Sequence, residues 1–227
     1  MSEPGRSRRS AALLRLYDLM AAHYGPTGWW PGDTPFEVAV GAILTQNTAW
    51  TNVEKAIANL KAARLMAPAA LLAANRDTVE AALRPSGYFR QKTERVLLFC
   101  RWLGERFGGR MDRMAAEPLE ALRAELLALK GIGPETADDI LLYACGKPVF
   151  VVDAYTRRIL GRHGIAPQEI PYEALRALFE TSLAPEVALF KEFHGLIVWT
   201  GKDFCRARPQ CDGCPLAPLL RGKPPKD

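Results

Sequence analysis

The residues best suited to chemistry lie in two short segments in the second half of the chain. The first, 129–137, contains Gly131-Ile132-Gly133-Pro134. Glycine accepts a positive φ and allows another backbone to come close. A proline after the second glycine begins a helix, whose unpaired N–H groups and positive dipole end can bind a phosphate. The same turn could equally do no more than join two antiparallel helices.

The second segment, Val151-Val152-Asp153, brings a single carboxylate to the predicted start of a helix at the end of an apolar run. Such an aspartate is commonly an N-cap, whose side chain accepts backbone N–H bonds. A carboxylate held beside an apolar run can also stabilise a positive charge developing on a sugar. Local sequence leaves both interpretations open.

The elements that must position these residues are predicted to be helices. Apolar residues recur at spacings of three and four in several segments, for example Leu13, Leu16, Met20 and, later, Val53, Ile57, Leu60. Prolines stand where a first helical turn would begin, at Pro35, Pro68, Pro118 and Pro134. The only strand-like run, 149–152, is too short to build a sheet. The sequence therefore predicts an all-α fold.

Composition narrows the class of protein. The chain has 227 residues, of which 48% are hydrophobic and 24% charged, which excludes a disordered or collagen-like chain. No apolar run approaches the length of a membrane span and no signal peptide is evident, so we expect a cytoplasmic protein that makes no membrane contact, nucleoid-associated if bacterial. Lys and Arg number 30 against 25 Asp and Glu, a net charge of +5, which is compatible with a polyanionic partner.

The combination of motifs resembles the helix-hairpin-helix Gly/Pro-Asp superfamily of DNA glycosylases, which includes endonuclease III. The resemblance rests on the hairpin at 129–137, on Val152-Asp153, on the stretch 41–48, and on Gly87-Tyr88 followed by Lys92. It implies two helical lobes with a cleft between them. One is a helical barrel domain, 31–147, that carries the hairpin. The other combines 1–30 with 148–227 and carries a C-terminal cysteine loop. It also implies a monomer that binds duplex DNA.

The resemblance assigns roles to individual residues. Asp153 is expected to be the catalytic carboxylate. Gln46 belongs to a motif that, in the family, fills the gap left by a flipped base. The residues expected to contact DNA are Gln46, Asn47, Gly131, Gly133, Glu135 and Thr136.

Three tryptophans sharpen the resemblance to one branch. Trp29-Trp30-Pro31, and Trp50 two residues after Thr48, are similar to the 3-methyladenine DNA glycosylase III branch. There the matching aromatic residues lie at or near the pocket for a flipped methylpurine, so Trp29, Trp30 and Trp50 are the expected base pocket. An electron-poor, cationic purine stacks well on an indole. Packing in the core is the alternative role for each tryptophan.

One departure from endonuclease III decides the expected reaction. Where bifunctional enzymes of that type carry a lysine that forms a Schiff base, this chain has Glu135. The resemblance therefore implies a monofunctional base excision repair glycosylase that hydrolyses the N-glycosidic bond of a damaged base, with an alkylated purine expected. A bifunctional glycosylase and abasic-site lyase acting on oxidised pyrimidines is one alternative. A DNA-binding module that has lost catalysis and an unrelated helical metal protein are others.

The cysteines suggest a metal site that is incomplete. Cys205, Cys211 and Cys214 are spaced as Cys-x5-Cys-x2-Cys. Endonuclease III binds a [4Fe–4S] cluster with four cysteines in this region, but the fourth position here is Leu220. Water or a carboxylate such as Asp203 or Asp212 could be the fourth ligand of a cluster held by these three cysteines, and a loop without metal is equally open. Zinc is less favoured because its fourth ligand is equally missing. Among the histidines, His194 follows an apolar helical pattern and is interpreted as a core or boundary residue.

Overall fold

The part of the chain that can be described, residues 3–30 and 32–225 of a computed structural model, forms helices and contains no strand. The predicted all-α class is confirmed. The chain divides into two compact units, one made of Met1–Trp30 with Pro148–Asp227 and the other of Pro31–Lys147. Pro31 of the Trp-Trp-Pro motif lies outside the described residues.

The unit built from both chain ends, the terminal unit, holds four helices within its described residues. They are α1 (Glu3–Tyr24), α10 (Ala154–Arg162), α11 (Tyr172–Ser182) and α12 (Val187–Asp203), followed by a 3-10 turn at Ala217–Leu220. α12 packs against α1 and α10. The core of the terminal unit is aromatic. The Phe150 and Phe179 rings stack with centroids 3.7 Å apart, and the Phe190 and Phe193 rings meet Phe150 edge-on.

The other unit, the central unit, holds eight helices in its described residues. They are α2 (Pro35–Leu44), α3 (Trp50–Ala62), α4 (Pro68–Ala73), α5 (Arg76–Leu83), α6 (Phe89–Phe107), α7 (Met111–Ala116), α8 (Leu119–Ala128) and α9 (Pro134–Asp139). A 3-10 turn at Arg84–Ser86 precedes α6, and α9 continues into a π-helical turn at Ile140–Ala144. α2 is buried along nearly its whole length and packs against α3, α6, α9 and the π-helical turn.

The prolines begin helices as predicted. Pro35, Pro68 and Pro134 are each the first residue of a helix, and Pro118 directly precedes α8. A proline suits this position because its fixed φ is already helical and its missing N–H would have no partner there. Across the described residues, no helix combines the length and apolarity that a membrane crossing requires.

Candidate active site

Asp153 is held at the start of α10 by a reciprocal cap. The preceding residues, 149–152, belong to no helix and are almost fully buried. One carboxylate oxygen of Asp153, Oδ1, accepts both the backbone N–H and the hydroxyl of Thr156, each at 2.7 Å. The N-cap interpretation of Asp153 is therefore correct. The cap occupies Oδ1 and leaves Oδ2 outside it.

His194 faces the second oxygen. Its Nε2 lies 3.8 Å from Oδ2 of Asp153, and the histidine is only 3% exposed. Burial by itself would raise the pKa of the Asp153 carboxyl, but His194 and Thr156 together outweigh it, so that the pKa lies below its ordinary value. Asp153 is consequently an ionised carboxylate at neutral pH, as required of a group that stabilises a cation.

α12 also fastens the segment that leads to the two adjacent tryptophans. The backbone N–H and the hydroxyl of Thr27 donate to the Glu192 carboxylate at 2.7 and 2.9 Å. Gly195 permits the contact, because a Cβ at that position would lie 2.6 Å from the Cβ of Trp29. The same helix thus supports Asp153 through His194 and the tryptophan segment through Glu192 and Gly195.

The tryptophan rings have defined surroundings. Trp29 and Trp30 meet edge to face with ring centroids 6.1 Å apart. The ammonium of Lys202 lies 4.9 Å from the centroid of Trp29, so one face of this indole already attracts a cation. Trp50 belongs to the central unit, where it begins α3 and donates from Nε1 to Glu54 at 3.0 Å.

In the hairpin, the two glycines differ in what they require. Gly131 has φ +89°, and a Cβ there would come within 2.5 Å of Arg95 Nε. Gly133 has an ordinary φ of −93° and open space around it. Glycine is therefore needed at 131 for conformation and close approach, whereas 133 is an exposed N-cap of α9.

A buried ion pair joins the helices on either side of the hairpin. Arg123 on α8 binds Asp138 on α9 through two hydrogen bonds of 2.7 and 3.1 Å, and both residues are buried. Paired bonds of this kind fix direction as well as distance. The exposed turn between the two helices is thus held on a rigid base.

Gln46 is tied to the hairpin. Its amide nitrogen donates to the carbonyl of Gly131 at 3.1 Å and to the hydroxyl of Thr136 at 2.8 Å, and its amide oxygen accepts a hydrogen bond from Arg95. The structure therefore brings together Gln46, Gly131 and Thr136, three of the predicted DNA-contacting residues. Asn47 is exposed with φ +54°. Arg95 was not predicted from sequence, because no motif includes it.

Lys92 holds the turn that precedes α6. It is 1% exposed and donates from Nζ to the Ser86 carbonyl at 2.5 Å. Burial, with a smaller effect from Arg95, lowers its pKa to about 8. The turn presents Tyr88, which is 68% exposed with a positive φ, as an aromatic side chain on the surface of the central unit.

All three C-terminal cysteines line one small, partly open cavity, together with Leu220. Arg162 organises the loop: it donates to Cys205 Sγ at 3.2 Å and to the carbonyls of Arg206 and Ala207 at 2.6 and 2.8 Å. In the described part of the chain, no three Cys, His, Asp or Glu side chains are arranged to hold a single metal ion. The apolar Leu220, at the position of the expected fourth ligand, lines the same cavity as the three thiols.

Comparison with known proteins identifies the family. Residues 40–185 match the model of the HhH-GPD superfamily base excision DNA repair proteins. The chain belongs to this superfamily. It is thus a base excision repair protein of the DNA glycosylase family, and the predicted resemblance is confirmed.

Three relatives of this HhH-GPD protein match between 79% and 93% of its length. A Methanocaldococcus jannaschii protein, provisionally named as a DNA repair glycosylase, is 41% identical over 213 residues, which cover 93% of this chain and 96% of the relative. Endonuclease III of Thermotoga maritima is 34% identical over 181 residues, 79% of each chain. Among solved structures, Helicobacter pylori 3-methyladenine DNA glycosylase bound to 1,N6-ethenoadenine has a TM-score of 0.72 and 31% identity, covering 86% of this chain and 97% of that one.

Proposed function

We propose that this HhH-GPD protein is a monofunctional glycosylase that flips an alkylated purine out of duplex DNA and hydrolyses its N-glycosidic bond. The observation that carries the proposal is the ionised Asp153 carboxylate, capped on Oδ1 by Thr156 and held in a largely buried position. A fixed negative charge shielded from water is what an oxocarbenium-like transition state needs.

In the proposed mechanism, Asp153 stabilises the positive charge that develops at C1′ as the base departs, and water is the nucleophile. A cationic alkylated purine is already a good leaving group, so the reaction requires no strong general acid. Extruding the base is least costly where its pairing is already damaged, which supplies part of the selectivity.

The tryptophans support an electron-poor base as substrate. The Lys202 ammonium lies 4.9 Å from the centroid of Trp29, a cation–π contact, and an alkylated purine cation would be attracted to an indole face in the same way. Trp30 and Trp50 are the other proposed base-contacting rings. The solved relative with 31% identity is a 3-methyladenine DNA glycosylase, in complex with ethenoadenine, which favours the same class of base here.

The proposed lack of lyase activity rests on which side chains near the hairpin could supply an amine for a Schiff base. Glu135 cannot form an imine, and Lys130 precedes the hairpin turn. Lys92 has a lowered pKa, but it is buried and donates to the Ser86 carbonyl. We therefore expect borohydride to trap no covalent protein–DNA adduct during turnover; a trapped adduct would favour the bifunctional alternative.

Duplex DNA is proposed to contact the hairpin and its surroundings. The exposed backbone at Gly131 and Gly133 can approach a phosphate, and an open cavity beside Gly131 is lined by Arg95, Arg101 and Lys130. Gln46 and Asn47 would contact the DNA strand at the lesion. Since phosphate contacts release counterions, affinity should fall steeply with salt; a flat salt response would contradict this interface.

Any [4Fe–4S] cluster bound by this chain is proposed to be held by Cys205, Cys211 and Cys214, with a structural role in the loop that Arg162 organises. Bound cluster would give about four iron atoms per chain and a matching amount of sulfide, lost in Cys211→Ser. A loop without metal would give neither in the anaerobically purified wild type.

The test of the proposed function is a substrate panel. Duplexes carrying methylated purines, ethenoadenine, an oxidised pyrimidine, or uracil or thymine opposite guanine are incubated with the protein, and free base is measured by chromatography. Strand integrity is followed on the same samples. We expect release of alkylated purine with the abasic strand left intact. Release of oxidised pyrimidine with strand cleavage would support the bifunctional alternative, and binding without release from any duplex would support the non-catalytic one.

A further inference from the structure

We propose that His194 is a positioning residue that aims Oδ2 of Asp153 at the reacting sugar. The proposal rests on the proposed glycosylase function and adds to it a residue that no motif identifies. His194 acts through the carboxylate and is not assigned a contact with DNA.

The geometry leaves Oδ2 as the oxygen for His194 to control. Oδ1 is occupied by two hydrogen bonds from Thr156, whereas Oδ2 lies 3.8 Å from His194 Nε2. That separation exceeds a direct hydrogen bond, so the interaction is electrostatic. At this distance the imidazole can favour one rotamer of the carboxylate, yet it does not neutralise the negative charge that the transition state needs.

Burial makes the pairing effective. His194 is 3% exposed and the Asp153 side chain 13%, so water screens their interaction weakly. An isolated buried carboxylate would tend to take up a proton. The imidazole and the Thr156 cap together favour the ionised form of Asp153, and the imidazole does so from the Oδ2 side.

The helix that carries His194, α12, also holds the segment that leads to the tryptophans. Glu192 and Gly195, on the same helix, hold Thr27 and Trp29. Within the terminal unit, one helix therefore positions both the carboxylate and the segment that bears Trp29 and Trp30, two of the three proposed base-contacting rings. Because both contact the same helix, the carboxylate and this segment keep a fixed position relative to each other.

The experiment compares two abasic-site analogues in duplex DNA. One has a cationic pyrrolidine ring that mimics the charge of the transition state, and the other a neutral tetrahydrofuran ring. The ratio of their affinities reports the carboxylate–cation interaction, because transition-state mimics bind through the contacts that catalysis uses. The ratio is measured for wild type, Asp153→Asn, His194→Phe, His194→Gln and the control His23→Gln.

We expect His194→Phe to reduce the preference for the cationic analogue, to lower kcat for base release about 10- to 100-fold, and to leave neutral-analogue affinity and KM unchanged. His194→Gln, which keeps a donor, should recover part of both losses. In the Asp153→Asn background, His194→Phe should change the ratio no further, because coupled residues are not additive. The control should match wild type.

Two results would overturn the proposal alone: a folded His194→Phe that keeps wild-type kcat and cationic preference, or equal losses for both analogues, which indicate a merely structural role. If His194→Phe fails to fold, an unchanged ratio and kcat in His194→Gln overturn it. Failure of wild type to release any base from the panel overturns the glycosylase function and this proposal together. If wild type cleaves a different base from the panel, the same comparison is made on that substrate.

Discussion

The Asp153 segment and the Gly131 hairpin differ in their exposure to solvent. Asp153 follows a buried apolar run, and its carboxylate accepts hydrogen bonds from the buried Thr156 and faces the buried His194. Gly131 and Gly133 are exposed, and what is buried in the hairpin is its base, the Arg123–Asp138 pair. A catalytic charge gains strength away from water, whereas backbone that meets a phosphate must stay accessible. Changes in the first region should alter kcat, and changes in the second should alter DNA affinity.

Among the variants that test this contrast and keep Asp153 itself, the largest effect is expected for Thr156→Val. The valine has nearly the same shape but loses the hydroxyl that donates to Asp153 Oδ1. The carboxylate is then less firmly directed, and we expect kcat for base release to fall about 10- to 100-fold with little change in DNA affinity. Single-turnover base release and a binding titration measure the two quantities. Thr181→Val, at an exposed hydroxyl on α11, is the matched control; equal effects of the two variants would break the comparison.

Gly131→Ala should affect binding instead. Alanine at φ +89° is strained and its Cβ meets Arg95, a cost of about 1–3 kcal/mol. We expect affinity for an abasic-analogue duplex to fall about tenfold, which is about 1.4 kcal/mol, and kcat to stay near wild type. Gly133→Ala provides the control, since its φ is ordinary and its surroundings are open. If both variants bind DNA as wild type does, the hairpin backbone is not the contact surface.

Arg95→Met tests whether Gln46 must be held against the hairpin. The substitution removes the donor to the Gln46 amide oxygen, an interaction of about 1 kcal/mol. We expect weaker binding to a duplex with an abasic-site analogue, which carries the gap that a flipped base leaves, and only a small change for undamaged duplex. Arg101→Met removes a positive charge from the same helix without touching Gln46, so it should weaken both duplexes equally. The same pattern for Arg95→Met would reduce its role to general charge.

The smallest effect on base release is expected for Lys92→Met, because Lys92 supports the turn that presents Tyr88. Its pKa is about 8 in the folded protein against 10.5 as an ordinary lysine. Between these values the unfolded chain binds more protons, so the contribution of Lys92 to the free energy of unfolding rises with pH, at most about 1.4 kcal/mol per pH unit. Urea unfolding at both ends of this range should reveal the rise in wild type relative to Lys92→Met. Parallel pH profiles of the two proteins would contradict the lowered pKa.

Features that depend on neighbouring residues were predictable from the sequence. The helical class, the helix starts at Pro35 and Pro134, and the N-cap at Asp153 all follow from short-range patterns. The turn at Gly131 was predictable as well, because few residues other than glycine adopt a positive φ. These are choices that a few adjacent residues determine.

Pairings between distant residues could not be predicted in this way. Arg95 meets Gln46 across 49 positions of sequence, and His194 reaches Asp153 only because α12 packs against α10. On its own helix, His194 is surrounded by Phe190, Phe193 and Ile197, which favoured a core role. Its low exposure agrees with that interpretation, while the carboxylate that it faces lies on another element.

The most direct test of the central claim is single-turnover release of methylpurine from methylated duplex DNA by wild type and Asp153→Asn, with DNA affinity measured for both. We predict that wild type releases free base and leaves an intact abasic strand. Asp153→Asn should lose base release by at least about 100-fold while binding DNA as tightly as wild type. Equal rates of release by the two proteins would contradict the assignment of Asp153 as the catalytic carboxylate.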